Sequence, residues 1–192
     1  MDIRPFALER HFAKYEFSAR HLLSSSDCDG LAMSEILSWA DDELLAAWKE
    51  LRLGYTESAG HPLLRAEIAN LYQGVDPDEI IGFVPEEGIF ATLACLVGPG
   101  DHVVCTYPGY QSLYEVAVAL GARVNHWTPH EEQGWWFDPS DLASLVRPET
   151  RLIVVNFPHT PTGALPRRPA SSKPFQAPCT RKASTAYSEQ VG

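Results

Sequence analysis

Residues 156–163, which read Asn-Phe-Pro-His-Thr-Pro-Thr-Gly, combine hydrogen-bonding side chains with two prolines directly behind an apolar run. That run, Leu152 to Val155, is typical of a short buried strand. Because proline restricts the backbone, the polar groups after the strand are held in a stiff corner. Open α/β sheets bind ligands outside the carboxyl ends of their strands, so this corner is a candidate binding site.

Tyr107 to Tyr110 forms a second corner, after the predicted strand 102–106. A Tyr107 ring held by the following proline and glycine is suited to stacking on a flat heteroaromatic ring. The same side chain is equally suited to covering the end of the sheet. The residues alone leave both interpretations open.

Glu86, Glu87 and Gly88 follow Pro85 at the point where a predicted helix begins. Backbone N–H groups at a helix start are unpaired and attract anions, which favours a phosphate site. Carboxylates in a first turn also stabilise the helix through its dipole, and they would repel a phosphate that they faced. Spacing does not decide between a phosphate site and a simple first turn.

Strands and helices alternate behind these candidate residues, and this alternation with short Gly/Pro connectors predicts an α/β fold with a mostly parallel sheet and flanking helices. The predicted strands are 80–84, 102–106, 123–127 and 152–156, and the predicted helices between them are 88–97, 110–120 and 139–146. Helical spacing also predicts one or two short helices in 34–51 and another from Pro62 to about residue 74.

Charge and composition exclude several function classes. The chain of 192 residues has a formal net charge of −10. Residues 166–192 carry five Lys or Arg and one acid, a net charge of +4, so the remaining 165 residues carry −14. Such an acidic body argues against a nucleic-acid partner. No apolar run is long enough for a membrane span, and no signal peptide is visible, so we expect a cytoplasmic protein.

Other chemical signatures are absent or weak. The sequence contains no dinucleotide fingerprint, no P-loop and no nucleophile elbow. His126 and His130 are four residues apart, but Pro129 breaks any helix that would align them, so we predict no metal site. The four cysteines show no paired spacing, and we expect reduced thiols with Cys95 and Cys105 in the core.

Taken together, these segments resemble the class I/II aminotransferases, pyridoxal-phosphate enzymes of fold type I. The family's Y-x-x-x-x-G-x-P-x-L-R block matches residues 55–65, its Y-x-x-Y block matches 107–110, and its N-x-P-x-N-P-T-G block matches 156–163. The resemblance covers roughly residues 5–165. It implies the front part of the family's large domain, with 1–53 as an N-terminal helical segment, 54–165 as a partial cofactor-binding domain and 166–192 as a disordered tail.

The resemblance implies roles for matching residues. The backbone around Glu86, Glu87 and Gly88 would hold the phosphate of pyridoxal phosphate. Tyr107 would stack on the pyridine ring, with Tyr110 nearby. Tyr55 is similar to the tyrosine that family members extend to the phosphate of the neighbouring subunit, which implies a homodimer.

The sequence departs from the family pattern at three places. Thr160 stands where the family has an Asn that donates a hydrogen bond to the cofactor's phenolic oxygen. The acidic pair Glu86 and Glu87 stands where small or neutral residues are usual. The later family blocks, which supply an Asp, the Schiff-base Lys and a carboxylate-binding Arg, have no match, and none of the four lysines is a credible Schiff-base residue.

The expected function is therefore that of an aminotransferase relative acting on an amino acid and a 2-oxo acid with pyridoxal phosphate. We expect a truncated chain with little or no activity alone, and a tail from Pro166 onward that resembles a sequence read out of frame. One alternative is a pyridoxal-phosphate-dependent lyase or cyclase. Another is a non-enzymatic fragment.

Overall fold

The computed structural model describes residues 1–25, 28 and 30–165, and within them the chain divides into two compact units. One unit comprises Met1–Leu23 together with the described residues from Pro85 onward. The other comprises the described residues of Ser24–Val84. The predicted domain boundaries stay a prediction, and the tail predicted to be disordered lies outside the described residues.

The first unit contains a three-stranded sheet and four α-helices. Its elements in chain order are α1 (Ala7–Tyr15), α5 (Pro85–Leu96), β1 (His102–Thr106), α6 (Ser112–Ala119), β2 (Arg123–Trp127), α7 (Pro139–Leu145) and β3 (Thr150–Val154). The second unit contains α2 (Met33–Ser38), α3 (Asp42–Lys49), α4 (Pro62–Asn70) and a 3-10 turn at Pro77–Glu79. Among the helices of the described residues, none combines the length and the apolar character that crossing a bilayer needs.

The sheet has the order β2-β1-β3, and β1 pairs in parallel with both neighbours. The predicted α/β fold with a parallel sheet and flanking helices is confirmed. β1 and β2 have the predicted bounds, whereas β3 begins and ends two residues earlier than predicted. As the central strand, β1 is buried along its whole length.

Successive residues of β1 point to opposite faces of the sheet, and each face has its own core. Val103 packs with Leu93 and Val97 from α5 and the end of that helix, and with Val116 from α6. Val104 packs with the residues Trp127, Phe137 and Leu142 on the other face. These two layers of helix on sheet hold the strand ends in place.

Cysteine burial differs from the prediction at one position. Cys105 on β1 is fully buried, and burial raises the pKa of its thiol to about 12. Cys95 on α5 is exposed, so its predicted place in the core is wrong. The reason is helical periodicity, since α5 turns Leu93 toward the sheet and Cys95 away from it.

Residues 80–84 do not form the predicted strand. They have apolar side chains, yet Ile81, Phe83 and Val84 are exposed and the segment has no regular secondary structure. Gly82 donates a single backbone hydrogen bond to Ala59 (2.9 Å). A strand needs a partner strand for its backbone groups, and the sheet of the described residues ends at β2 and β3.

The block that matches residues 55–65 of the family pattern organises the second unit. Gly60 adopts a positive φ of 105° in the turn that precedes α4, a conformation that favours glycine. Pro62 occupies the first turn of α4. The Arg65 guanidinium, from the same helix, donates to the carbonyls of Pro77 (2.6 Å) and Ile80 (3.0 Å) and pairs with Asp78 (2.8 Å).

Each predicted helical region does contain a helix, but the observed ends of several helices differ from the predicted ends. The predicted helix 88–97 begins three residues earlier, at Pro85, because proline lacks an N–H and fits a first helical position. The predicted helix 110–120 is shorter at both ends. The predicted helical region 34–51 is two helices, α2 and α3, and the helix from Pro62 ends at Asn70.

Candidate functional site

The carboxyl ends of β1 and β3 lie side by side at one edge of the sheet. The chain leaves β1 through α6 to β2 on one side, and then returns through α7 to β3 on the other side. Connections therefore change direction between β1 and β3. In open α/β sheets a ligand crevice lies outside the strand ends at such a switch point. Both predicted corners, 107–110 and 156–163, begin there.

The corner after β3 is held by hydrogen bonds among its own residues. The Thr160 N–H donates to the side-chain oxygen of Asn156 (3.1 Å). The His159 N–H donates to the Ala164 carbonyl (2.8 Å), and the Gly163 N–H donates to the His159 carbonyl (2.6 Å). Gly163 has a positive φ of 71°, which glycine tolerates. The segment 156–163 thus forms a hydrogen-bonded corner directly after β3, while its stiffness stays a prediction.

His159 links the two corners. Its ring is 1% exposed, with Nε2 lying 2.6 Å from the Pro108 carbonyl and Nδ1 lying 2.8 Å from the Thr162 hydroxyl oxygen. Because Pro108 offers only an acceptor, a neutral ring donates from Nε2 and accepts at Nδ1. Burial lowers the pKa of His159, which favours that neutral form. No local motif indicates this role for His159, because its partner Pro108 lies 51 residues away in the chain.

A pocket of about 290 Å³ opens beside these corners. Pro108, Gly109 and Tyr110 line it from the corner after β1, and Thr160 and Pro161 line it from the corner after β3. Residues 6–9, around the start of α1, line it as well. The pocket thus unites one predicted site residue, Thr160, with Tyr110 and an N-terminal segment that no motif had indicated.

Tyr107 contacts other aromatic rings. It stacks on His126 with ring centroids 4.1 Å apart and an angle of 5° between the planes. Tyr114 meets both rings edge-on at 5.5 Å. One face of the Tyr107 ring is therefore covered by His126. The predicted stacking of Tyr107 on a cofactor ring stays a prediction, while Tyr110 lies on the wall of the pocket.

The first turn of α5 carries the predicted residues Glu86, Glu87 and Gly88. Glu87 is exposed, whereas Oε1 of Glu86 is buried without a hydrogen-bond partner among the described residues. Burial raises the pKa of Tyr110, and the nearby carboxylates of Glu86 and Glu9 raise it further, which keeps the phenol neutral. The Glu86 carboxylate therefore lies close to the phenol that lines the pocket.

This turn only partly fits a phosphate. Its N–H groups, which begin after Pro85, suit an anion. A buried carboxylate oxygen without a donor does not, because two anions repel at short range. The aromatic and hydroxyl groups of Tyr110 and Thr160 suit a flat polar ring. The ring side of the site fits pyridoxal phosphate better than the phosphate side.

Two groups of residues that the sequence analysis considered are not in the described lining of this pocket. Tyr55, in the other unit, has a fully exposed side chain. Of the lysines, Lys14 lies over the Tyr15 ring and Lys49 ends α3, while Lys173 and Lys182 lie outside the described residues. The described lining of the pocket contains no lysine.

His130, considered above only as one half of a weak metal pair, contacts carboxylates instead. Its Nε2 lies 2.6 Å from Asp141 and its Nδ1 lies 3.4 Å from Glu132. Asp141 is the main cause of the raised pKa of this histidine. His126 and His130 thus serve different contacts, one aromatic and one ionic.

The strand order, the two corners and the pocket agree with one sequence family. The pattern of aminotransferase class I and II matches residues 21–173, which is more than half of the chain. The chain belongs to this family. Its homologues depend on pyridoxal phosphate, so the predicted resemblance and the cofactor of the family are confirmed.

Individual relatives align with most of this chain. The chain is 33% identical over 153 residues to the arginine–pyruvate transaminase AruH of Pseudomonas aeruginosa, with 76% of this chain and 38% of that protein aligned. It is 35% identical over 161 residues to the capreomycidine synthase of Streptomyces vinaceus, with 82% of this chain and 41% of that protein aligned. The chain thus spans about two fifths of the length of these curated relatives.

Superposition on solved structures supports the same family assignment. A pyridoxal-phosphate-dependent aminotransferase from Streptococcus suis superposes with a TM-score of 0.78 at 32% identity, covering 88% of this chain and 46% of that one. The pyridoxal-phosphate-dependent cyclase OrfR superposes with a TM-score of 0.70 at 29% identity, covering 86% of this chain and 44% of that one. The aminotransferase family therefore includes both transaminase and cyclase relatives of this chain.

Proposed function

We propose that this chain contributes the front part of a pyridoxal-phosphate site in an enzyme that moves an amino group between an amino acid and a 2-oxo acid. The observation that carries the proposal is the pocket at the strand switch point, lined by Tyr110 and Thr160 in a chain of the aminotransferase family. When bound, pyridoxal phosphate supplies the electron sink for chemistry at an amino acid's α-carbon. The residues of this chain bind and orient it.

Each residue has a proposed task. Tyr110 offers an aromatic face to the cofactor ring, and the geometry favours it over Tyr107, whose ring is stacked on His126. The Thr160 hydroxyl donates to the ring's phenolic oxygen in place of the family's Asn. The backbone N–H groups of Glu86, Glu87 and Gly88 hold the phosphate. His159 acts indirectly, by fixing the two corners against each other.

The partner and location predictions stay proposals. Tyr55, fully exposed in the second unit, is available to reach the phosphate of a neighbouring copy, which would make the enzyme a homodimer. We also propose that the enzyme is cytoplasmic. Analytical ultracentrifugation of the chain with and without pyridoxal phosphate tests the dimer, which a single monomeric species under both conditions would exclude.

Binding of pyridoxal phosphate to the full chain tests the proposal, and Glu86 provides the sharpest variant. We expect saturable binding in an absorbance titration, and Glu86→Gln should tighten it about fivefold because a buried negative charge near the phosphate is removed. Glu87→Gln is the matched control, since its carboxylate is exposed and screened by solvent. Failure of the unmodified chain to bind would reject the proposed cofactor site. Equal affinity of Glu86→Gln and Glu87→Gln for pyridoxal phosphate would show that the phosphate does not bind close to Glu86.

The chain alone is proposed to transfer little or no amino group, because none of its lysines matches the family's Schiff-base residue. Bound pyridoxal phosphate should therefore be released after borohydride treatment and denaturation. A lysine peptide carrying the reduced cofactor, found by mass spectrometry, would contradict this proposal.

A second candidate function is cyclisation chemistry on the same cofactor. The specific observation in its favour is similarity to capreomycidine synthase and to the cyclase OrfR at levels close to those for transaminases. Both kinds of relative align with most of this chain. Product analysis of the chain with added pyridoxal phosphate separates the two functions, since a transaminase releases a 2-oxo acid and a cyclase releases a ring-closed amino acid.

A further inference from the structure

Hydrogen bonds to Gln111, the residue that precedes α6, and an ion pair with Glu115 in α6 hold the start of α1 beside the pocket. The Ala7 N–H donates to the Gln111 side-chain oxygen (2.9 Å), and the Gln111 amide donates to the Pro5 carbonyl (3.4 Å). Arg4 also pairs with Glu115 at 3.8 Å. These contacts join residues about a hundred positions apart, and they bring Glu9 to the pocket wall.

Glu9 is the charged side chain of this pocket. The other residues of its described lining are apolar or neutral. The Arg4 guanidinium, which lies before α1, the helix of Glu9, pairs with Glu115. The described residues of the unit that contains the pocket hold 7 Lys or Arg and 12 Asp or Glu, a net charge of −5, which adds to the negative potential. A pocket with these charges favours a positively charged ligand group.

The Glu9 carboxylate also has acceptor capacity to spare. The Tyr110 hydroxyl donates to its Oε1 over 3.4 Å, which is long for a hydrogen bond of this kind. The same phenol keeps its proton, because burial and the nearby Glu86 raise its pKa. A carboxylate can accept several hydrogen bonds and matches the two parallel donors of a guanidinium. Tyr110 adds an aromatic surface beside that carboxylate, which suits a flat cation.

We propose that Glu9 recognises the positively charged end of the substrate's side chain, so that the site prefers amino acids bearing a guanidinium or ammonium group. The inference rests on the proposed function, because it assigns a substrate class to the same pocket. Glu9 is then a specificity residue that the N-terminal segment supplies, while the corners after β1 and β3 supply the cofactor side.

Arginine and citrulline form the decisive pair of probes, because they have nearly the same shape and differ in charge. We expect the full chain to bind arginine about fivefold more tightly than citrulline, as measured by amide shifts in NMR titrations. Glu9→Gln should remove this preference by weakening arginine binding alone. Glu16→Gln is the matched control, since it removes a charge at the end of the same helix and outside the pocket lining. It should keep the preference.

The outcomes separate this inference from the proposed function. Equal binding of arginine and citrulline, including no measurable binding of either, would overturn the role of Glu9. So would a Glu9→Gln chain that keeps the preference while its spectrum shows an intact fold. Titrations without pyridoxal phosphate measure the preference even if the cofactor fails to bind. A failure of cofactor binding alone therefore rejects the proposed function, while the preference for arginine over citrulline still tests the role of Glu9.

Discussion

The unit around the sheet and the unit of Ser24–Val84 bury their apolar residues very differently. In the first unit, Val103, Val104 and Phe137 are at most 1% exposed. In the described part of the second, Ala69 is the one residue in the fully buried class, while large side chains such as Trp39 and Leu64 are more than half exposed. Both units have regular helices, so secondary structure alone does not separate them.

The difference shows that a different kind of interaction stabilises each unit. The first unit is stabilised by burial on both faces of a sheet, which fixes the strand ends and so the pocket. The second unit is organised by polar contacts, chiefly those of Arg65 with the carbonyls of Pro77 and Ile80. Substitutions that remove apolar atoms should therefore affect the first unit most, and substitutions that remove donors should affect the second.

The largest expected effect comes from Phe137→Ala. Phe137 contacts Trp127, Phe157 and His159 edge-on, with centroids 4.6 to 5.1 Å apart. Its truncation leaves a cavity and should lower the free energy of unfolding by about 3–5 kcal/mol. Native-state hydrogen exchange of β1 amides measures this loss.

Phe83→Ala is the matched control for that experiment, because Phe83 is the same residue type in the second unit and is 50% exposed. It should cost less than about 1 kcal/mol. Equal losses in the free energy of unfolding for Phe137→Ala and Phe83→Ala would contradict the expectation that removing apolar atoms affects the first unit most.

Arg65→Ala should have the next largest effect, confined to the second unit. The Arg65 side chain is 14% exposed, and its loss leaves the carbonyls of Pro77 and Ile80 without a charged donor. We expect the second unit to lose about 2 kcal/mol, read from hydrogen exchange in α4. Arg65→Lys keeps the charge but not the planar fork, so it should recover only part of the loss. Full stability of Arg65→Ala would show that apolar contacts organise this unit after all.

The smallest expected effect is an acid sensitivity confined to the corner after β3. Burial lowers the pKa of His159 from its ordinary value of 6.5, so the folded state binds fewer protons than the unfolded state near that pH. Stability from this group is therefore present above pH about 6.5 and is lost as the pH falls toward the lowered value. Protection of the Gly163 amide, bonded to the His159 carbonyl, should fall between pH 7 and pH 5.

The Gly82 amide, which bonds to the Ala59 carbonyl in the second unit, is the internal control and should keep its protection over the same range. His130 should titrate in the opposite sense, because Asp141 raises its pKa. A ring titration of His159 at or above 6.5 would contradict the burial of the corner.

Much of the fold could be predicted from local patterns. β1 and β2 were predicted at their exact bounds because glycine, proline or threonine residues lie close to both ends of these short segments. The segment 80–84 has an equally strand-like pattern and is not a strand. Periodicity reports which side chains prefer burial, but a strand also requires a neighbour for its backbone, and a single segment carries no information about that neighbour.

The site could be predicted in part. Ordered motifs indicated the corners at 107–110 and 156–163, and the structure brings both to one edge of the sheet. They did not indicate which tyrosine lines the pocket. That choice depends on His126, which stacks on Tyr107 from the next strand. Glu9 was missed for the same reason, since its contact with Tyr110 spans 101 residues.

The sequence by itself determined the family, the alternation of strands and helices and the corner that follows β3 at residues 156–163, because local backbone preferences and residue order suffice for these. Tertiary structure decided that β1 lies between β2 and β3, that His159 ties one corner to the other, and that α1 carries a carboxylate to the pocket. These features are contacts between distant segments. Their stability comes from burial and from hydrogen bonds that exist only once the sheet has assembled.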